Sequence, residues 1–136
     1  MTEAATRRLL VVANETVASD TIGPHIDADT EVLVIAPALN TRLRFWSGDD
    51  RRARRHAEVR LTSSLHALDA AGIEADGFVA DADPLLAIED ALKLFDADRI
   101  VISTSPDGRS NWLARGIVGR ARDRFSAPVE PTPGAL

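Results

Sequence analysis

The 136-residue sequence contains no cysteine, which excludes a disulfide framework and any thiolate-held zinc, iron–sulfur or redox centre. It contains no apolar run near the roughly 18–20 residues of a membrane span, and Met1 to Arg8 lacks the apolar stretch of a signal peptide. A cytoplasmic location with no membrane partner is the expectation. Nor is there an excess of positive charge: 16 Lys+Arg stand against 21 Asp+Glu, a formal net charge of −5. Neutralising nucleic-acid phosphates normally takes a basic face, so bulk nucleic-acid binding is disfavoured. Lysine is nearly missing, Lys93 standing alone beside 15 arginines, while alanine occurs 22 times, a bias that reads as codon usage. No G-x-S-x-G elbow, G-x-x-x-x-G-K-[ST] loop or G-x-G-x-x-G turn occurs. None of His25, His56 and His66 belongs to a recognised metal-ligand motif on a predicted shared face. No catalytic residue and no metal ligand is assigned.

What is present fits one domain over residues 1–130, with 45% hydrophobic and 27% charged residues, followed by a flexible tail over 131–136. Arg8 to Ala13, Glu31 to Ala36 and Arg99 to Ser103 are β-branched apolar runs without polar alternation, the pattern of strands buried on both faces of a parallel sheet. Ile73 to Ala80 and the stub Ala127-Pro128-Val129 predict edge strands. Ala53, Ala57, Leu61, Leu65 and Leu68 fall on one face of a helix running from near Asp49 to Gly72. Asp83-Pro84 supplies a cap and first position for a helix carrying Leu85, Ile88, Leu92 and Phe95. Trp112, Ile117, Ala121 and Phe125 predict a last helix starting between Ser110 and Gly116. A first helix is expected over Thr16 to Ile26, cut short by Gly23-Pro24. The alternation predicts an α/β fold with right-handed crossovers: a Rossmann-like, doubly wound, five-stranded parallel sheet with helices on both faces.

Ligands of such sheets bind beyond the carboxyl ends of the strands at the switch point in strand order. That rule selects Ala13-Asn14-Glu15-Thr16, Ala36-Pro37-Ala38 and the loop after the fourth strand. The loop, Ser103-Thr104-Ser105-Pro106-Asp107-Gly108-Arg109-Ser110-Asn111, combines hydroxyls, a flexible glycine, a cation and a helix start, the parts of an anion site. The same residues also make an ordinary solvated turn. Candidate ligand residues are therefore Ala13, Asn14, Ser103, Thr104, Ser105, Gly108, Arg109, Ser110 and Gly116. Arg51, Arg52, Arg54 and Arg55, beside His56, read more simply as a solvated helix face than as a polyanion site. Phe45-Trp46 reads as packing of a long connection onto the sheet.

The order of elements, the strand ending Val12-Ala13-Asn14-Glu15-Thr16, the helix start Ala82-Asp83-Pro84 with Ile88, and the closing Phe125-Ser126-Ala127-Pro128-Val129 resemble the universal stress protein family from Arg8 to Val129. The resemblance implies the strand order 3-2-1-4-5, a homodimer paired through the last strand, and an adenine-nucleotide site. Aligned with that family's phosphate motif, its positions fall on Ser103, Pro106, Gly116 and Ile117, and only Gly116 keeps the family's residue type. Pro106 has no N–H to donate and Ile117 has no hydroxyl. Asn14 stands where the family has an acidic residue. The expectation is weak or absent ATP binding, no certain cofactor, and a different anion site around Gly108, Arg109 and Ser110. Two functions remain: a regulatory domain that binds a nucleotide or other phosphorylated small molecule, or a dimeric protein-interaction domain without nucleotide. An enzyme related to the nucleotide α-hydrolases is a third.

Overall fold

Arg7–Ala13 forms the first strand, β1, and Leu10 through Ala13 are wholly buried. A strand with both faces and both edges covered must lie inside its sheet, as β1 does. In the computed structural model, which describes residues 7–13, 26, 30–38, 50–80, 83–104 and 111–133, it is flanked by β2 (Thr30–Pro37) and β4 (Arg99–Thr104). β3 (Ala75–Ala80) and β5 (Val129–Pro133) close the two edges. All pairings are parallel, and the order is β3-β2-β1-β4-β5, as expected. The stretch 14–25, where the first helix is expected, lies outside the described residues.

Side-chain alternation divides the core into two layers. Leu9, Val11 and Ala13 of β1, with Val34 and Ala36 of β2 and Val101 of β4, pack against Ala57 and Leu68 of helix α1 (Asp50–Ala70). Leu10, Val12, Ile35, Ile100 and Ile102 face the other way, toward α2 (Pro84–Leu94) and α3 (Asn111–Arg124), which contribute Ile88, Ala91, Val118 and Ala121. α1 ends at Gly72 (φ 79), where Ile73 N–H donates to Leu68 C=O and Gly72 N–H to Asp69 C=O, both at 2.9 Å. This double cap needs a left-handed residue, which glycine adopts without penalty. α2 starts as its sequence predicts, with Asp83 Oδ1 accepting from Leu85 N–H at 3.0 Å and Pro84 in the first turn. No described helix is long and apolar enough to cross a membrane.

The last strand differs from expectation. It occupies Val129–Pro133, not 127–129, so the stretch expected to be a free tail is strand as far as Pro133. Ile100 N–H donates to Pro128 C=O at 2.8 Å, which sets Ile100 opposite Val129. In a parallel ladder that register turns Glu130 and Thr132 toward β4, while Val129, Pro131 and Pro133 present their backbone groups to the outer edge. Both prolines thus occupy positions where the ladder asks for no N–H.

Gly77 marks a close approach of α1 to β3. A Cβ there would lie 2.6 Å from Leu61 Cδ1 and 2.7 Å from the Val34 carbonyl oxygen. The second neighbour is backbone and cannot turn aside. Gly77→Ala is expected to lower stability by about 1–3 kcal/mol in urea melts, the usual cost of overpacking. Val11→Asp, which places an unpaired charge between the buried faces, is expected to cost several kcal/mol. A change within about 0.5 kcal/mol for Val11→Asp would be incompatible with a central β1.

Candidate functional site

From β1 the chain steps outward through β2 and β3 on one side and then returns past β1 to β4 and β5 on the other, so the switch in strand order lies between the carboxyl ends of β1 and β4. There Ala13 stands in register with Ser103. Alternation from Val101 puts the Ser103 side chain on the α1 face of the sheet, the same face as Ala13. Ser103 has no exposed surface, and its Oγ has no hydrogen-bond partner among the described residues. A buried hydroxyl left unsatisfied is uncommon and costs about 1–3 kcal/mol relative to a paired one.

On the other side of Ala13, β2 ends in a proline. Asp98 N–H donates to Arg8 C=O at 2.8 Å and Ala38 N–H to Ala80 C=O at 3.2 Å, which turns Ala13 and Pro37 toward one another's strands. Continued by one residue, the register of Val12 with Ile35 makes Pro37 the next ladder donor to the Ala13 carbonyl. Proline has no N–H. Arg60, from the middle of α1, fills the gap: its Nε donates to Ala13 C=O at 3.2 Å and its Nη2 to Pro37 C=O. The half-buried guanidinium therefore ties together the carboxyl ends of β1 and β2 and places a fixed positive charge at that edge.

Ala13 and Ser103 are thus brought side by side, and Thr104 is the last residue of β4. Asn14, Ser105, Gly108, Arg109 and Ser110 lie outside the described residues, as do Phe45 and Trp46. Gly116 does not sit at a helix start. α3 begins at Asn111, so Gly116 lies about 7.5 Å along the helix axis and is exposed, and as an interior residue it spends its N–H on the turn before it. A Cβ at Gly116 would meet nothing within 4 Å, so no neighbour requires glycine there. Ile117 is half-buried and packs onto the core beneath α3.

Arg51, Arg52, Arg54, Arg55 and His56 are exposed along the first turns of α1. Asp83 serves α2 as its cap. Among the described residues no cluster of three or more His, Asp or Glu side chains converges. A cleft of about 550 Å³ opens at the opposite, amino end of the sheet, lined by Glu31, Asp69, Glu74, Asp76 and Phe95 among others. Its carboxylates make it unsuited to phosphate. Arg60 is the residue at the candidate edge that pattern reading missed. The usable signal was Pro37 at the end of an interior strand, which leaves a neighbouring carbonyl in need of a donor.

No protein-family model matches the chain, and no curated protein matches it in sequence.

The two polar groups at this edge are expected to respond oppositely to removal. Arg60→Met keeps the apolar stem but strands two carbonyls, and should cost about 1–3 kcal/mol in urea melts. Ser103→Ala deletes a hydroxyl that has no partner among the described residues, and should leave stability unchanged or raise it by up to about 1 kcal/mol. A loss above about 1 kcal/mol for Ser103→Ala would mean that the hydroxyl has a partner.

Proposed function

We propose that this chain is a small regulatory domain similar to universal stress proteins, which binds a phosphorylated small molecule at the carboxyl edge of its sheet between β1 and β4. The observation that carries the reading is the buried Ser103 Oγ at the switch point, which has no hydrogen-bond partner among the described residues. The charge fixed by Arg60 one strand away favours an anion there. Arg109, six residues after Ser103, adds a planar, always-charged fork suited to phosphate oxygens.

The ligand is not held in the ATP cradle of the family that the sequence resembles. Pro106 deletes one donor, Ile117 is committed to the core, and Gly116 lies inside α3. These same features favour the second reading, an interaction domain that has lost its nucleotide. Calorimetric titration of ATP, AMP and inorganic phosphate into wild type, Ser103→Ala and Arg109→Ala separates the two. Binding of at least one phosphate-bearing ligand, weakened about tenfold or more by Arg109→Ala and measurably by Ser103→Ala, is the expected result. Tight ATP binding indifferent to both substitutions would overturn the proposed geometry. Silence from all three ligands would favour the interaction domain.

A further inference from the structure

The two edges of the sheet are not alike. At the β5 edge Pro131 and Pro133 withhold N–H groups from the outer side, and the outward carbonyl of Val129 already accepts from Arg122 Nε at 2.9 Å. That edge is blunted against another strand. At the β3 edge the bond from Ala38 N–H to Ala80 C=O turns the even-numbered residues toward β2, so Ala75, Gly77 and Val79 face outward. Each carries both a donor and an acceptor, with no partner among the described residues. An edge of this kind is a template for a further strand.

The flank of α1 above that edge indicates which strand it suits. Arg60 lies on the flank that faces β1. At 100° per residue the opposite flank, which overhangs β3, carries Arg51, Arg55, Glu58, Thr62, Leu65 and Asp69, spaced alternately by four and three residues. Arg55, Glu58, Thr62 and Asp69 are exposed. The flank is basic where α1 begins, at the carboxyl edge of the sheet, and acidic where it ends, beside Glu74 and Asp76.

We propose that two copies of this chain join across a two-fold axis through Gly77, β3 against β3 antiparallel and α1 against α1, so that two five-stranded sheets become one. Leu61 is the helix residue that meets Gly77, so the axis passes the helix near Thr62. Around it Arg55 faces the partner's Asp69, and the contact occurs twice. α1 lies over β2 and β3, which sets the two helices about two strand spacings apart, roughly 10 Å. Packed helices are separated by about 8–10 Å. A lone peptide strand would satisfy the edge and leave the charged flank uncovered; a second copy satisfies both. This arrangement uses the edge opposite to the one that the family resemblance implies.

Sedimentation velocity at tens of micromolar is expected to give twice the 14.6 kDa chain mass, with amide exchange at Ala75, Gly77 and Val79 slowing as concentration rises. Val79→Pro removes an outward N–H without touching the ladder to β2, and should convert the dimer to monomer. Arg55→Asp and Asp69→Arg should each weaken the dimer roughly tenfold, while the double variant, which exchanges the charges, restores it. That restoration keeps the proposal testable even if Val79→Pro fails to fold. A monomer throughout, or a dimer indifferent to Val79→Pro and to both charge reversals, would overturn it.

Discussion

The interior position of β1 is the constraint on which the rest of the structure depends. Leu10, Val11, Val12 and Ala13 have no exposed surface, so helices must cover both faces of the sheet and a strand must lie on either side. Right-handed crossovers then carry the chain outward in one direction through β2 and β3 and back past β1 to β4 and β5. The switch between β1 and β4 follows from that path. Ala13 and Ser103, distant in sequence, meet there because the ladder between the two strands sets them in register.

Proline and arginine work as complements along the sheet. Pro37 ends β2 without an N–H, and Arg60 supplies the donor that the Ala13 carbonyl lacks. Pro131 and Pro133 thin the outer side of β5, where Arg122 takes up the Val129 carbonyl. In both places a side-chain Nε stands in for backbone N–H groups, and the guanidinium suits this because its donors are numerous and rigidly placed. An arginine-rich composition that looks like codon usage thereby includes at least two residues with specific backbone partners. Their neighbours at the start of α1 remain on an exposed face.

The polarity of α1 connects the two ends of the molecule. Its basic first turns lie at the carboxyl edge, where an anionic ligand is proposed, and its acidic end lies beside the carboxylate-lined cleft at the amino edge. Two copies related by a two-fold axis set unlike ends side by side, so the charge separation of one chain becomes complementarity between two. The proposed ligand site and the β3 edge occupy different parts of the sheet, which would leave binding and association physically separable.

The continuous apolar runs of β1, β2 and β4, the stripe of α1 and the Asp83-Pro84 cap were legible in the sequence because each is set by local periodicity or by a single cap bond. The strand order came from the family resemblance, since crossover handedness does not by itself decide which strands are neighbours. The length of β5 was not legible, because Pro131 and Pro133 read as breakers until the bond from Ile100 to Pro128 decides which side their missing N–H groups face. Nor was the role of Arg60, whose partners lie 47 and 23 residues away and are joined only by the packing of α1 across β1 and β2. The start of α3 was only bracketed between Ser110 and Gly116, because propensity alone does not locate a helix start; it lies at Asn111, with Gly116 inside the helix. The sequence by itself determined which segments are strands and helices, since those follow from residue patterns a few positions long. Tertiary structure alone decided that Ser103 is buried with no partner among the described residues, that Arg60 closes the proline gap and that no described strand pairs with the outer side of β3, because each depends on register and packing between segments far apart in the chain.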